Sequence, residues 1–314
     1  MDKTDNIFIS ITIPAYKKQY LKEAIDSVLA QSYSNFELII VNDCSPENLD
    51  EIVNQYNDTR IHYYKNTKGF GAYNVVGNWN KCLEYAVGDY IICMGDDDKL
   101  LPNCLINYIS LINKYPNLNI YHTRTEIIDN SSHIIDLQEP RPEYESVYSA
   151  MWYRWNGRKQ YIGDFLFKVS SLRQYGGFYS LPTGCCSDDI SVWIAAQEKG
   201  IANTLEFGFQ YRDNQLTLSR NKQNMKDKIK AFQLAKQWYY TFLENSRSCS
   251  HRDIIYINNL KKSLNGYIYN YYNYCTKIDI QQNGINSVLF WIYNRKKYNL
   301  NPLILIKHYY ENFI

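Results

Sequence analysis

Tyr90-Ile91-Ile92-Cys93-Met94-Gly95-Asp96-Asp97-Asp98 joins five apolar residues to a glycine and three consecutive carboxylates. The apolar run is short, β-prone and flanked by turn residues, so it predicts a buried strand. Three adjacent carboxylates repel one another and need a counter-charge to stay ionised beside a packed strand end. A divalent cation shared with substrate phosphates would supply it; a solvated acidic turn is the alternative. Because ligands of open α/β sheets bind beyond the carboxyl ends of strands, the position favours a ligand site.

The residues before this stretch alternate between short β-type runs and helical patterns. Strands are predicted at 7–13, 36–41 and 61–64. Helices are predicted at 19–31, from Ser45-Pro46 to about residue 56, and from about residue 72 to 87, because apolar residues recur there at helical spacing or a helix-start signal is present. The order βαβαβαβ predicts a parallel sheet with right-handed crossovers.

The loop after the first strand tests whether phosphates could be held by glycine-rich backbone. Residues 14–18, Pro-Ala-Tyr-Lys-Lys, contain no glycine, and the first glycine of the chain is Gly69. A dinucleotide-binding or Walker loop at this place is therefore excluded, and so is a sugar-phosphate nucleotidyltransferase, which needs such a loop. Gly69-Phe70-Gly71 is predicted to be a flexible turn. If phosphates bind here, a metal must do most of the neutralising.

The pattern beyond the acidic triplet predicts a mixed region. It includes a helix at 102–115, a hairpin of strands at 118–123 and 134–137, a strand at 161–169 and a helix at 190–198. Asp188-Asp189 precedes the last helix, where one carboxylate can cap the helix while the other serves as a base in a cleft. The aromatic residues Trp152, Tyr153 and Trp155 fit either a sugar site or ordinary packing.

Composition limits the protein class. The chain has 314 residues, of which 45% are hydrophobic and 21% charged, so it can bury a sizeable core. No apolar run approaches the ~18 residues of a membrane-spanning helix, and the polar N-terminus predicts no secretory signal. Eight cysteines without a Cys-x-x-Cys pair predict reduced thiols in a cytoplasmic protein, not a disulfide framework or a zinc site.

Charge divides the chain into two parts. Residues 1–220 hold 20 basic against 27 acidic side chains, whereas residues 221–314 hold 14 against 5. The first part should need cations, and the second should favour an anionic surface. Helical spacing in the second part predicts one amphipathic stripe, packed against the main domain or a second subunit, formed by Leu260, Leu264, Tyr267, Tyr271, Tyr274 and Ile278.

Residues 7 to about 220 resemble a glycosyltransferase of family 2 with the GT-A fold. Six pieces occur in the family's order. They are Ile11–Tyr16, Val41–Ser45, Asn80 ahead of Gly88–Ile91, Asp96–Asp98 with Pro102, Gly176–Phe178 followed by Asp188, Asp189 and Trp193, and Tyr211-Arg212 through Ser219.

The resemblance implies an inverting transferase that uses a nucleotide-sugar, most often a UDP-sugar, together with Mn²⁺ or Mg²⁺. Asp43 would accept a hydrogen bond from uracil, and Asp96 would lie near the ribose. Asp98, possibly with Asp97, would coordinate the metal, and Asp189 would be the catalytic base. Pro14, Ala15 and Tyr16 would line the base pocket, and Asn80 is the remaining donor-binding position that the family implies.

Four positions depart from the family pattern. Gly95 stands where many members have the first aspartate of a longer acidic motif, and Trp79 stands where an arginine often precedes the asparagine. Asn214 stands where many members have a histidine near the metal, and Lys17 replaces a frequent asparagine. Gly95, Trp79 and Asn214 support the alternative of a non-catalytic nucleotide-sugar-binding or scaffolding protein.

The resulting prediction is an α/β GT-A domain at 1–220 and a C-terminal helical region at 221–314. The GT-A domain would have a nucleotide-sugar-binding part at 1–105 and an acceptor-binding part at 106–220. The expected acceptor is a hydroxyl of a glycan or a lipid-linked saccharide in surface polysaccharide biosynthesis. We also expect a cytoplasmic protein peripheral to the membrane, a homodimer through the C-terminal helices, and no nucleic-acid partner.

Overall fold

The structure is a computed structural model that describes residues 7–214, 224–247 and 250–313. The chain forms two compact units. The first comprises Met1–Ser180 and Ser187–Asn214, and the second comprises Leu181–Cys186 and Gln215–Ile314. The predicted loop between Tyr211 and Ser219 lies outside the described residues beyond Asn214.

The first unit is built on a mixed sheet. The strands are β1 (Ile9–Ala15), β2 (Phe36–Asn42), β3 (Ile61–Lys65), β4 (Tyr90–Cys93), β5 (Lys99–Leu100), β6 (Ile120–Ile128), β7 (Ile134–Leu137), β8 (Tyr144–Glu145), β9 (Phe165–Lys168) and β10 (Ile201–Arg212). Their spatial order is β3-β2-β1-β4-β9-β6-β10-β5, with β7 beside β6 and β8 beside β10.

Strand directions place several strand ends at one edge of the sheet. β1 pairs parallel with β2 and β4, and β2 pairs parallel with β3, which confirms the predicted parallel arrangement. β9 runs antiparallel to both β4 and β6, and β10 is parallel to β6. It follows that β1, β2, β3, β4, β6 and β10 all end at the same edge, which we call the carboxyl edge, and that β9 begins there.

Seven α-helices flank the sheet within the part of this unit that the structure describes. They are α1 (Leu21–Leu29), α2 (Asp50–Val53), α3 (Val75–Tyr85), α4 (Cys104–Lys114), α5 (Val147–Trp155), α6 (Val169–Gln174) and α7 (Ser187–Ala196). α1 illustrates the amphipathic pattern, since Leu21, Ala24, Ile25 and Val28 are fully buried and the spacing places them on one face.

Two local predictions need correction. The second helix is a single turn, α2, because Ser45 Oγ accepts the N–H of Glu47 and donates to Tyr16 O, which makes the preceding residues a turn. The strand predicted at 161–169 begins only at Phe165, after a 3-10 helix at Ile162–Asp164. There the Asp164 carboxylate accepts the N–H of Tyr161 over 3.2 Å. The predicted hairpin of β6 and β7 is confirmed.

The second unit is helical, with α8 (Met225–Glu244), α9 (His251–Asn283), α10 (Ile285–Tyr298) and α11 (Pro302–Phe313). The stripe predicted on α9 is right at Leu260 and Leu264, which are buried, but wrong at Tyr274, which is 58% exposed, whereas Tyr272 is 5% exposed. The buried face rotates because α9 packs first on α8 and then on α10 and α11. None of the helices described here is both long and apolar enough to cross a membrane.

Candidate active site at the carboxyl edge

The acidic turn that follows β4 is tied to the loop that follows β1. Asp96 is 9% exposed, and its Oδ2 accepts the backbone N–H groups of Tyr16 and Lys17, each over 2.7 Å. Since β1 and β4 are parallel neighbours, their following loops meet at the carboxyl edge. The Asp96 carboxylate therefore fixes the loop that the sequence assigned to the base pocket.

Arg212, the last residue of β10, anchors the other side of the acidic turn. Its backbone N–H donates to Asp98 Oδ1 over 3.0 Å, and its Nε donates to Asp97 O over 2.8 Å. The guanidinium is fully buried and pairs with Glu23 Oε2 at 2.9 Å, while also donating to Asp129 O. Arg212 thus holds the acidic turn by hydrogen bonds from its backbone N–H and its Nε. The ion pair of its guanidinium is with Glu23.

The positive charge near the three aspartates does not offset the cost of burying their carboxylates in the ionised form. Burial, and then the charge of Asp97, raises the pKa of Asp96 to about 6. Burial likewise raises the pKa of Asp97, although Lys17 and Arg212 oppose the shift. Burial and the Asp97 charge raise the pKa of Asp98 well above its usual range. A bound cation would favour the ionised forms and reverse these shifts.

Gly95 permits two carboxylates of the turn to converge. A Cβ at position 95 would lie 2.8 Å from Asp98 Oδ2 and 2.9 Å from Asp97 Oδ1, closer than side chains pack. The two carboxylates therefore lie against Gly95, whose N–H donates to Asp98 Oδ2 over 3.2 Å, and a side chain at position 95 would displace at least one of them.

These residues fit a hard divalent cation. Carboxylate oxygens are the ligands that Mg²⁺ and Mn²⁺ prefer, and Mg²⁺ commonly takes one or two carboxylates with substrate phosphates and water. Among residues 7–214, 224–247 and 250–313, no group of three His, Cys, Asp or Glu side chains is arranged to hold a metal. Asp97 and Asp98 would thus supply two ligands, and a substrate would complete the coordination.

Asp43, which follows β2, holds the glycine-bearing loop in place. Its Oδ1 accepts the N–H of Phe70 over 2.8 Å and the Nδ2 of Asn66 over 3.0 Å, and its Oδ2 accepts the N–H of Gly71 over 3.0 Å. Residues 69–71 therefore form a bound loop, not the flexible turn predicted. A carboxylate has about four acceptor positions, so one remains on Oδ2 for a ligand N–H.

The three residues predicted to line the base pocket differ in what they present. Ala15 is fully buried, and its carbonyl accepts the N–H of Asp43 over 2.9 Å. Pro14 is half-buried, whereas Tyr16 is 46% exposed. Of the three, Tyr16 offers a ring that a ligand can reach, and Ala15 acts through its backbone.

Asn80 on α3 binds the Gly-Gly-Phe turn. Its Oδ1 accepts the N–H of Phe178 over 2.7 Å, and its Nδ2 donates to Phe178 O over 3.0 Å. Gly177 has φ of +93°, and a Cβ there would lie 2.4 Å from Asn80 Oδ1. Trp79 packs edge-on against the Phe178 ring at 5.9 Å. Both residues thus support this turn; the predicted contact between Asn80 and the donor stays a prediction.

Asp189 lies in the first turn of α7 and is 2% exposed. Its Oδ1 accepts hydrogen bonds from Arg154 Nε over 2.9 Å and from Gln160 Nε2 over 2.7 Å. Arg154 Nε also lies 3.2 Å from Oδ2 of the same carboxylate. The sequence singled out neither Arg154 nor Gln160, since nothing in the local pattern links α5 and its following loop to α7.

Asp188 receives the influence of the helix N-terminus. Burial and the charge of Asp189 raise the pKa of Asp188 to about 7, while Arg154 and the backbone amides of residues 188 and 189 act in the opposite direction. The amides at the start of α7 therefore bear on Asp188. Both carboxylates lie inside the first turn of α7, which begins at Ser187 and not at Ile190 as predicted, and the division of roles between them stays a prediction.

Contacts connect Asp189 to the carboxyl edge. Gln160, which donates to Asp189, lies just before the 3-10 helix and β9, and β9 begins at this edge. The neighbouring Tyr161 ring stacks on Tyr211 with ring centroids 3.9 Å apart, and Tyr211 precedes Arg212, which binds Asp98. A chain of contacts thus links the predicted base to the predicted metal ligands at the carboxyl edge.

The aromatic cluster predicted from sequence lies on α5. Tyr153 is 43% exposed, and the Arg158 guanidinium lies over its ring at 4.4 Å. Arg158 in turn pairs with the buried Glu145 at 2.7 Å. These contacts fix the end of α5 and the following loop, which carry Arg154 and Gln160.

Comparison with known proteins identifies the family. The family model described as glycosyl transferase family 2 matches residues 10–176, which is more than half of the chain. The chain belongs to glycosyl transferase family 2. Its order of β1, the loop with Asp43, the acidic turn and the Gly-Gly-Phe turn is the order of motifs on which the sequence resemblance rested.

Three relatives of this family-2 chain are proteins of bacteria. It is 34% identical over 176 residues to an uncharacterized glycosyltransferase of Rickettsia typhi, covering 52% of each chain. It is 42% identical over 109 residues to the putative colanic acid biosynthesis glycosyl transferase WcaA of Escherichia coli, covering 34% of this chain and 38% of the relative. It is 28% identical over 222 residues to the E. coli UDP-Glc:alpha-D-GlcNAc-diphosphoundecaprenol beta-1,3-glucosyltransferase WfgD, covering 69% and 82%. The chain thus spans about half the length of the R. typhi relative.

Solved structures confirm the GT-A fold with a helical C-terminal region. S. aureus TarS in complex with UDP-GlcNAc aligns with a TM-score of 0.65 at 12% identity, covering 96% of this chain and 89% of that one. The Pyrobaculum calidifontis mannosyltransferase PcManGT in complex with GDP-Man and Mn²⁺ aligns with a TM-score of 0.52 at 12% identity, covering 97% and 86%.

Proposed function

We propose that this family-2 chain is a metal-dependent inverting glycosyltransferase that moves a sugar from a UDP-sugar to a hydroxyl group. The observation that carries the proposal is the proximity of the Asp97 and Asp98 carboxylates, both of which lie against Gly95 at the end of β4. It occurs at the sheet edge to which contacts also connect Asp189. A direct displacement at the anomeric carbon needs two parts, a site that stabilises the leaving group and a base. The candidates for both lie at the carboxyl edge or are linked to it by contacts.

The donor pocket lies between the loops that follow β1 and β2. The free acceptor position on Asp43 Oδ2 suits the imide N–H of uracil, and the exposed ring of Tyr16 can cover the base. Asp96 Oδ1, on the same carboxylate whose Oδ2 binds the β1 loop, would face the ribose. A UDP-sugar is favoured because the names of WfgD and of the TarS complex carry UDP-sugars, whereas PcManGT binds GDP-Man.

The division of labour follows from the residue types. A Mn²⁺ or Mg²⁺ ion held by Asp98 and Asp97 would stabilise the departing diphosphate without protonating it. Asp189 would accept the proton of the acceptor hydroxyl as that oxygen attacks. Arg154 and Gln160 fix the Asp189 carboxylate by hydrogen bonds to Oδ1, so the base is held in one orientation. A single attack from the face opposite the leaving group inverts the anomeric carbon.

The acceptor that we propose is a glycan or a lipid-linked saccharide used in surface polysaccharide biosynthesis. Two relatives support this choice through their names, WcaA in colanic acid biosynthesis and WfgD acting on a diphosphoundecaprenol-linked sugar. Such acceptors would place the enzyme in the cytoplasm at the inner face of the membrane.

The test is transfer by the purified full chain from radiolabelled UDP-glucose, UDP-N-acetylglucosamine and GDP-mannose to a synthetic GlcNAc-diphospho-lipid, with Mn²⁺ or with EDTA. We expect transfer from one UDP-sugar that EDTA abolishes, with an anomeric configuration opposite to that of the donor by NMR. Equal transfer in EDTA would contradict the metal role. UDP binding without transfer or hydrolysis of any donor would favour the non-catalytic binding protein, for which the replacement of the family's histidine by Asn214 is the supporting feature.

A further inference from the structure

Helix α10 is apolar on two opposite faces. Val288 and Trp291 are buried, as expected for a helix packed against its neighbours. The opposite face carries four large side chains with exposed fractions of 51%, 61%, 38% and 86%, namely Ile285, Leu289, Phe290 and Tyr293. A helix that is apolar all round is normally covered on all sides, and a row of exposed apolar side chains marks a binding surface.

The exposed residues of α10 form one continuous face. At about 100° per residue, the four apolar side chains fall within an arc of about 140°. Lys296 and Lys297 are exposed and fall within the same arc, as does one neutral polar residue, Asn286. Lys226 from α8 adds a third cation, with its Nζ 4.2 Å from the centre of the Phe290 ring. Residues 285–298 contain no aspartate or glutamate, so the face is apolar and basic with no acidic residue of its own.

We propose that this face of α10 binds the surface of a membrane that contains anionic lipids. Apolar side chains of an interfacial helix enter the boundary between headgroups and acyl chains, and lysines extend their amines back to the phosphates. Tyrosine is favoured at that depth because its ring is apolar and its hydroxyl is polar, which suits Tyr293, the most exposed of the four. The positive balance of residues 221–314, 14 basic against 5 acidic side chains, adds attraction to the same surface.

Charge also argues against a second copy of the chain as the occupant. A two-fold symmetric contact places the same patch on both partners. Two α10 faces brought together would bring Lys296 and Lys297 of both copies into one interface, without a carboxylate on either helix to offset the four charges. A bilayer with acidic lipids supplies both the apolar volume and the negative charge.

The face would hold the enzyme where a lipid-linked acceptor resides, a consequence that rests on the proposed function. Membrane binding itself does not depend on catalysis and can be measured with the full chain alone. Failure of sugar transfer therefore leaves this inference intact, and failure of vesicle binding leaves the proposed function intact.

The test is co-sedimentation of the full chain with vesicles of phosphatidylcholine alone or with 30% phosphatidylglycerol. We expect binding to the anionic vesicles that weakens as salt rises. Leu289→Ser combined with Tyr293→Ser should reduce the partition coefficient about tenfold, and Lys296→Gln combined with Lys297→Gln should do so at low salt.

Two variants with the same types of substitution at other exposed positions serve as controls. Leu205→Ser alters a leucine that is 61% exposed, as is Leu289, and Lys261→Gln with Lys262→Gln removes another adjacent exposed pair. Leu205→Ser should bind vesicles like the wild type, and the Lys261 and Lys262 changes should weaken binding less than the Lys296 and Lys297 changes. The proposal is overturned if the wild type does not bind anionic vesicles or if the α10 variants bind as well as the controls. It is also overturned if the α10 changes instead abolish a dimer seen by sedimentation equilibrium.

Discussion

Arg154 Nε donates to Asp189 Oδ1 over 2.9 Å, and the carboxylate that it holds is 2% exposed. Gln160 Nε2 donates to the same oxygen over 2.7 Å. The candidate base therefore has one oxygen fixed by two donors, while Arg154 reaches the other oxygen only at 3.2 Å. This arrangement leaves Oδ2 as the oxygen better able to accept a proton from an incoming hydroxyl.

Replacing Asp189 by Asn should remove the base without removing the donor site. We expect kcat for sugar transfer to fall by about 10²–10⁴, the usual contribution of a general base, with UDP affinity unchanged by calorimetry. Asp188→Asn is the matched control and should keep most of the activity. Loss of transfer in Asp188→Asn with retention in Asp189→Asn would reverse the assignment.

Replacing Arg154 by Met should misplace the base and leave its charge buried without a cation. We expect kcat to fall about 10- to 100-fold with little change in the KM for the donor, since a positioning error of about 1 Å can have that effect. Arg154→Lys should recover part of kcat because an ammonium can still donate to Oδ1. If Met and Lys variants both match the wild type in kcat, Arg154 has no positioning role.

Gly95→Ala should weaken metal binding. The added Cβ would lie within 3 Å of both Asp97 Oδ1 and Asp98 Oδ2, so at least one carboxylate must turn away. We expect Mn²⁺ affinity in the presence of UDP to fall about tenfold or more by electron paramagnetic resonance titration. Gly157→Ala is the control, since no atom lies within 4 Å of a Cβ there, although its φ of +103° adds some backbone strain. Unchanged Mn²⁺ affinity in Gly95→Ala would contradict a metal site formed by Asp97 and Asp98.

Asp96 gives the metal-free protein a pH dependence of defined sign. Burial raises the pKa of Asp96 to about 6 from its usual 3.8, so the folded state binds this proton more tightly than the unfolded state. The resulting stability is fully present below pH 3.8 and is lost as pH rises through about 6. The amide oxygen of Asp96→Asn can still accept from Tyr16 and Lys17, but the amide carries no charge to bury. The stability of the variant relative to the wild type, both without metal, should therefore be greater at pH 7.5 than at pH 4.5.

This relative stability should change by about 2 kcal/mol between the two pH values. A pKa unit corresponds to roughly 1.4 kcal/mol, and only the part of the pKa shift that lies above pH 4.5 contributes. Urea unfolding of wild type and Asp96→Asn in EDTA at the two pH values measures it, and comparing the variant with the wild type at each pH cancels the other titrating groups. A stability difference between the two proteins that is the same at both pH values, or larger at pH 4.5, would contradict the burial of this carboxylate.

The sequence predicts the first half of the fold well because its information is local. β1 to β4 are short apolar runs with turn residues around them, and α1, α3 and α4 carry clear helical spacing. The three aspartates stood out because they are adjacent. The family match confirms the general interpretation, while the roles of individual residues such as Asp43 and Asp189 stay predictions.

The supporting residues could not be found in this way because their contacts are distant in sequence. Arg212 is 114 residues from Asp98 and 189 from Glu23, and Arg154 is 35 residues from Asp189. No local pattern shows that a buried arginine ends β10 beneath the acidic turn. The role of residues 69–71 in binding Asp43 likewise depends on the fold, as does the rotation of the buried face of α9.

The most direct test of the central claim is the affinity of UDP measured by calorimetry with Mn²⁺ and with EDTA, in wild type and in Asp98→Ala. We expect Mn²⁺ to tighten UDP binding at least about tenfold in the wild type, since an ion shared with the diphosphate would neutralise its charge, and we expect this gain to disappear in Asp98→Ala. The same gain from Mn²⁺ in both proteins, or none in the wild type, would contradict a metal site at the acidic turn.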